Sequence, residues 1–563
     1  MPKIVHLSIN NYRIVKALNF AIDPDEPIIC LIGRGDSGKT TILDAIAAVL
    51  SPAWNMSFQD TDFYQCDPQQ NINIEATIIE IPPQLQSVNK FGLHMRAYDR
   101  STGEISDNLE PEEYSATQLG CLTVRLQVDQ HLEPKWQVTN LREHEDKLIS
   151  GAERSLLNCH MVADHVDKHF SWNKGNPLYS LLRSLSPVET SEDVNIIVQT
   201  LRDAKKQIDQ HAFAELKEAT ALITRQAGAL GLNIANTATT LDFKEISIRD
   251  DKISLHEDLV PFRLKGKGSK RLISMAIQLT LLQRGGIMLV DEIEQGLEPD
   301  RVRNLIQSLK EDGNGQVFLT THSRDVIMEL GAAPLAFVVQ DKAKGLMQVR
   351  RSAVDDECLV KAVRACPDAF FARKVIVCEG KTEIGICRAL DNYRKLKGLP
   401  NLPYQACAYV DGAGKTQFSY AKDILAAEIQ TLVLVDSDRE DVNREKEELK
   451  ALGIKVIDCQ DQLCIEAQVF NDLPWEGVLE LFNIPDLSSQ RREELQEKIM
   501  KYGDSAISRQ LLTDAATNGK SPWFKRIDYG EKLGDVIFNY LDELPAEKRL
   551  KIMFDQLNHW IDA

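Results

Sequence analysis

Gly33-Arg34-Gly35-Asp36-Ser37-Gly38-Lys39-Thr40 decides how the rest of this chain is read. It matches G-x-x-x-x-G-K-[ST], and it stands between an apolar run, Ile28-Ile29-Cys30-Leu31-Ile32, and an amphipathic stretch from Lys39 to about Leu50. Strand, glycine-rich loop and helix, in that order, is the setting in which the pattern cradles phosphate. Gly33, Gly35 and Gly38 let backbone N–H groups curl around an anion at a helix N-terminus, with Ser37 and Thr41 completing the cradle. Lys39 would neutralise the β- and γ-phosphates and Thr40 would ligate magnesium. The implied cofactors are ATP and Mg²⁺ or Mn²⁺.

Two later strand patterns extend the site. Ile287-Met288-Leu289-Val290 ends in Asp291 and Glu292, placed to hold magnesium and to polarise an attacking water. Val317-Phe318-Leu319-Thr320-Thr321 ends in His322, which would contact the γ-phosphate. Between the P-loop and these strands, Lys265-Gly266-Lys267-Gly268-Ser269-Lys270-Arg271 precedes an apolar helix expected from Leu272. Gly268 and Ser269 there form a second anion cradle.

The order P-loop, Gly/Ser signature, acidic strand and strand-end histidine resembles the ABC ATPase head. Leu7-Ser8-Ile9-Asn10-Asn11-Tyr12-Arg13 is similar to the opening of chromosome-maintenance and recombination ATPases. The resemblance implies two heads sandwiching ATP, with Gly268 and Ser269 of one facing Lys39 of the other. The signature departs from Ser-Gly-Gly-Gln, which points to ATP as a gate more than a fuel. For the family's glutamine loop, Gln59 and Asp62 are both candidates. In place of a long coiled coil stands a segment at 151–235, expected to be helical. In it Ile197, Leu201, Ala204 and Ile208 recur at helical spacing, as a core stripe or a dimerisation arm.

A second set of acids follows. Lys374-Val375-Ile376-Val377-Cys378 ends in Glu379-Gly380, and Leu432-Val433-Leu434-Val435 ends in Asp436-Ser437-Asp438. A third strand pattern, Ala408-Tyr409-Val410-Asp411, closes on a glycine-rich turn. Carboxylates at neighbouring strand ends repel unless a dication lies among them. Hard oxygen donors suit Mg²⁺ or Mn²⁺, and such a centre can cleave a phosphodiester. Glu379, Asp436 and Asp438 match the motif positions of the TOPRIM fold of topoisomerases, bacterial primases and some nucleases, with Glu440 as a further acid. The continuation Gly380-Lys381-Thr382-Glu383 resembles the overcoming-lysogenisation-defect (OLD) nuclease family, which joins an ABC head to a C-terminal TOPRIM domain. That resemblance implies a second metal site, for which Glu383 and Glu466 are the candidates. It also implies a late transition-state lysine, Lys525 or the neighbouring Lys520.

The expected architecture is α/β: an ABC-type P-loop ATPase head at 1–150 and 236–345, with the helical insertion at 151–235. A linker at 346–370, a TOPRIM domain at 371–480 and a helical C-terminal region at 481–563 follow. The 563 residues carry a net charge of −18, which excludes a generally basic nucleic-acid coat but not a local basic groove. The 11 cysteines form no C-x-x-C pair, so a zinc site is not expected. No apolar run reaches the length of a membrane span, and a reduced, cytoplasmic setting is expected. The resemblance implies an oligomeric, ATP-regulated endonuclease acting on DNA in antiphage defence, like Gabija-like, retron-associated and PARIS-type effectors, with a partner protein or guide nucleic acid left open. Two rivals stand beside it: a toxin-like RNase acting on tRNA, and a non-nuclease ATP-dependent DNA sensor or clamp.

Overall fold

The computed structural model describes residues 1–53, 56–107, 114–142, 145–162, 166–170, 176–178, 180–181, 255–257, 260–283, 285–311, 315–341, 345–351, 357–427, 429–484, 490–502, 508–517 and 522–563. Within them one 14-stranded sheet and one 4-stranded sheet dominate.

The large sheet has two halves. Five strands run parallel in the order Cys159–Val162, Ile287–Val290, Gln316–Thr320, Ile28–Ile32 and Leu335–Asp341. Ile28–Ile32 and Gln316–Thr320 are buried at every position, as strands covered on both faces must be. The other half is a wing built mainly of antiparallel pairs, in which Lys3–Tyr12 lies between Val15–Ala21 and Ile72–Ile79. Burial in Val15–Ala21 alternates, so one side of this strand faces solvent. The strand ending in His322 lies between the P-loop strand and the strand ending in Asp291. Three loops of the nucleotide site therefore open at one sheet edge, the carboxyl edge where α/β proteins bind ligands.

Two expectations need correction. Residues 346–370 are not a linker. Leu346–Arg351 is a strand of the large sheet between Leu335–Asp341 and Val15–Ala21, and the helix Glu357–Ala365 and the 3₁₀ turn Pro367–Phe371 follow it. The segment from 151 is not wholly helical either: Cys159–Val162 is the sheet-edge strand beside Ile287–Val290. Ile197, Leu201, Ala204 and Ile208, with most of the expected arm, lie outside the described residues, as does Lys520.

The second sheet is wholly parallel, in the order Cys407–Asp411, Lys374–Cys378, Gln430–Val435, Lys455–Asp458. One apolar core runs without a break from Ile28 and Leu319 of the first sheet, through Val363 and Phe370, to Val375 and Val433 of the second. The C-terminal helices pack on the other face of the small sheet. Lys374 donates to the carbonyls of Trp560 (3.0 Å) and Ile561 (2.9 Å), closing the end of the last helix, Arg549–Asp562. Buried Arg394 holds the same helix through Asn558 and Asp562.

One helix crossing positions the second site. Helix Lys381–Leu396 lies against Ile527–Tyr540 at glycines from both sides. A Cβ on Gly385 would sit 2.4 Å from Ile527 O and Glu531 N, and one on Gly530 would sit 2.5 Å from Thr382 O. This close approach brings Phe524 and Lys525 over the start of the first helix. Gly385→Val is expected to lower stability by about 1–3 kcal/mol, as overpacking does. Urea denaturation checks this, and an unchanged midpoint would show that the two helices can separate at no cost.

Candidate functional site

On the nucleotide side the loop turns through positive φ at Gly33 (151°) and Gly38 (97°), where a side chain would be strained. Lys39 is buried and donates to the carbonyls of Gly33 (2.9 Å) and Arg34 (2.7 Å), so the loop is folded down on its own lysine. Burial draws the Lys39 ammonium below its ordinary pKa, against the pull of Asp291 and Glu292. Thr40 donates to Asp291 Oδ1 (3.2 Å), and so does Thr320 (2.6 Å). The two expected magnesium ligands thus touch, while Glu292 is exposed beside them. His322 has its pKa lowered by burial and then by Lys39.

Arg271 and Glu294 were not singled out from the sequence. The helix expected from Leu272 begins earlier, at Lys267 with Gly266 as its cap, so Gly268 and Ser269 lie in its first turn. Arg271, buried on this helix, donates to the backbone carbonyls of Asp291 and Glu292 and to Gln295 (2.8 Å). It thereby fixes a turn in which Glu292 sits at φ 46°, strained for a residue with a Cβ. Glu294 accepts from Thr321 Oγ1 and His322 N, both at 2.7 Å, and sets the histidine loop. The available signal for Arg271 was its place on one helical face with Ser274, Met275 and Gln278. Gly268 packs on Gly296, and Ser269 is exposed. Asp62 pairs with Arg13 (3.0 Å) and Gln59 caps the same turn, so both candidates for the glutamine loop brace the hairpin.

On the metal side, Glu379, Glu383, Asp411, Asp436 and Lys525 line one cavity of about 320 Å³. Glu466 lies just behind it, 2 % exposed, with Lys525 Nζ 3.0 Å from its Oε1. The Thr382 hydroxyl sits 3.0 Å from Phe524 O and 3.4 Å from Glu466 Oε1, and so joins three segments remote in sequence. Asp438 is exposed and is not among the cavity's lining residues, and Glu440 opens the helix Glu440–Ala451. Asp411 occupies the wall instead, at the end of the neighbouring strand. Its strand-end position in the sequence was the signal for it.

Burial, reinforced by Glu466, pushes the Glu383 carboxyl up from 4.5 to about 7. Burial and then Glu383 hold Asp436 well above the usual carboxylate range. Burial alone would depress the Lys525 ammonium, but Glu466 outweighs it and keeps the lysine charged. Three of the carboxylates are turned to a backbone N–H: Glu379 to Asp436 (3.1 Å), Glu383 to Gly380 (2.9 Å) and Asp436 to Ile465 (2.8 Å). Among the described residues no group of three or more His, Cys, Asp or Glu side chains is placed so that it could hold a metal ion as it stands. The donor set itself fits a hard dication: crowded carboxyl oxygens whose mutual repulsion such a charge would relieve.

Residues 370–438 match the family model for the OLD (overcoming lysogenization defect) protein-like TOPRIM domain. Residues 2–102 match an AAA ATPase domain, and residues 180–329 match an AAA domain of the AbiEii toxin, Type IV TA system model. This chain pairs AAA ATPase domains with an OLD-like TOPRIM domain. That pairing matches an OLD-family ATPase–TOPRIM nuclease. No curated protein matches the chain. Among solved structures, the Smc head bound to the C-winged helix domain of ScpA is 13 % identical, with a TM-score of 0.34, over 62 % of this chain and 97 % of that one. The Smc head of Pyrococcus furiosus bound to the C-terminal domain of ScpA is 12 % identical, with a TM-score of 0.31, over 62 % and 96 %. The recombination mediator RecF with a bound nucleotide is 12 % identical, with a TM-score of 0.32, over 62 % and 98 %. At such scores these likenesses carry no argument; the sheet order and the family models do. Among the described residues no helix is long and apolar enough to cross a membrane.

The raised Glu383 pKa has a measurable consequence. This carboxyl holds its proton more tightly folded, at about 7, than at the ordinary 4.5, so its contribution favours the fold at low pH and fades as pH rises through that interval. In EDTA the melting temperature should therefore fall between about pH 4.5 and 7, and Glu383→Gln should flatten the fall. An identical profile in wild type and variant would show that Glu383 is not strained when charged.

Proposed function

We propose that the chain is an ATP-regulated, divalent-metal-dependent endonuclease that cleaves DNA phosphodiester bonds, serving antiphage defence as an oligomer. The observation that carries this is the convergence of Glu379, Glu383, Asp436, Glu466 and Lys525 from distant segments on one cavity. Glu379 and Asp436 would hold a first ion with Asp438, whose exposed carboxylate would turn inward. Glu383 and Glu466 would serve a second. Bound there, Mg²⁺ or Mn²⁺ would supply a Lewis acid and an activated water.

The chain's own residues do the rest. Lys525, half exposed at 52 %, can reach both Glu466 and a phosphate at the cavity mouth. Its ammonium would oppose charge gathering on the phosphodiester in the transition state. Asp411 and its glycine-rich turn border the path the substrate would take. In the head, Lys39 and Thr40 would take the triphosphate, with Asp291 on its magnesium and Glu292 and His322 near the γ-phosphate. Exposed Ser269 would meet the nucleotide of a second head. A DNA substrate is favoured over tRNA by the similarity of the head's opening sequence to that of recombination ATPases.

Supercoiled plasmid incubated with Mg²⁺ or Mn²⁺ should be nicked or cut. Glu379→Ala and Asp436→Ala should each lower the rate by at least about 100-fold, the order seen when a transition-state-stabilising group is lost. Lys39→Ala should cleave but lose its response to ATP. Cutting of tRNA with intact plasmid would move the substrate to RNA, and metal-independent binding without cleavage would leave the clamp.

A further inference from the structure

We propose that Cys366–Arg373 is a strut that carries the nucleotide state of the head to the carboxylate cluster, with Phe371 as its positioning residue, which rests on the reading of the chain as an ATP-regulated nuclease. At the head end the Phe371 ring lies 6.3 Å from the ring of His322, centroid to centroid. Phe370 lies 6.1 Å from Phe337, on the strand beside the P-loop strand. Asp368 pairs with Arg324 (3.1 Å), two residues beyond the histidine, but both are exposed and the pair counts for little in salt. The aromatic contacts are the firmer link.

At the other end the strut enters the TOPRIM sheet. The Cys366 thiol donates to the carbonyl of Asp411 (3.5 Å), and the backbone of Arg373 pairs with Ala406 and Gln430. From Asp411 to Glu379 the connection is backbone, and the last link to Asp436 is the Glu379 carboxylate. Gly412 N–H donates to Cys378 O and Gly414 N–H to Glu379 O, both at 2.8 Å. Glu379 in turn accepts from the Asp436 N–H. A shift of the strut therefore moves three strand ends that bear cavity acids.

The head supplies the two states. Lys39 now holds the carbonyls of Gly33 and Arg34. To bind a triphosphate it must release both, and the loop 33–37 must lift. That stretch of loop is one wall of a cavity of about 490 Å³, whose opposite walls are Phe370, Ala372 and Arg373 of the strut and Ile429 and Gln430 of the TOPRIM domain. The cavity gives the loop and the strut room to move against each other. A γ-phosphate drawing on His322 would pull at the Phe371 ring from the other side. Coupling between sites usually spans about 5- to 150-fold in the response.

Hydrogen–deuterium exchange of the full chain, with and without MgATP, tests this without any need for cleavage. In the wild type, ATP should change exchange at 33–41, 366–373 and 411–415. Phe371→Ala should keep the change at 33–41 and lose it at 411–415, while Phe371→Tyr, which retains the ring, should restore it. An unaltered response at 411–415 in Phe371→Ala overturns the strut. So does a wild type that responds at 33–41 alone. No response at 33–41 would overturn the nucleotide site itself, and the strut with it. Failure of the nuclease reading would register separately, as a wild type that shows the exchange changes yet cuts no nucleic acid with metal.

Discussion

Glu379, Glu383, Asp436 and Glu466 gather with the Lys525 ammonium at a cavity of about 320 Å³ that Asp411 also borders, and much of the surrounding architecture serves to hold them there. Glu379 and Asp436 come from adjacent parallel strands, and Glu383 lies one helical turn further on. Glu466 opens a helix that packs on the sheet, and Lys525 reaches it only because two helices cross at glycines. Like charges at this spacing cannot all ionise without a counter-charge. Lys525 answers Glu466 and leaves Glu383 and Asp436 held toward their neutral forms. Such a site stores electrostatic tension that a divalent cation would release.

The head shows the same economy of placement. Its loops come from strands adjacent in the sheet but far apart in sequence, so Thr40 can touch Asp291 across 251 positions of chain. The continuous core from Ile28 to Val433 joins the two sheets, and Phe370 is part of it. A nucleotide-driven change in the head would thus be applied to a packed interior, which responds by switching between arrangements more than by stretching.

Where a strand is buried on both faces, the amino-acid sequence declares it. Ile28–Ile32, Ile287–Val290 and Lys374–Cys378 are largely apolar runs that lead into candidate site residues, and their reading as strands holds. Leu346–Arg351 escaped because half its face is polar and one of its two sheet neighbours, Val15–Ala21, lies far off in sequence. Cys159–Val162 is short and carries a histidine. In the site, Glu379 and Asp436 were legible from strand ends and Glu383 from helical spacing. The approach of Glu466 to Lys525 depends on a helix crossing that no local pattern encodes. Arg271 and Glu294 act through backbone carbonyls and amides, which leave no motif. Asp438, legible as half of an Asp-x-Asp pair, points to solvent, so the pattern alone did not foretell which acids face the cavity.

On this account the TOPRIM carboxylates would hold a divalent cation. Titration of the nucleotide-free chain with Mn²⁺, followed by electron paramagnetic resonance of the free ion, tests it most directly. Binding that persists in Lys39→Ala and is lost in Asp436→Asn is the predicted result. Equal binding by Asp436→Asn and wild type, or none by either, would contradict it.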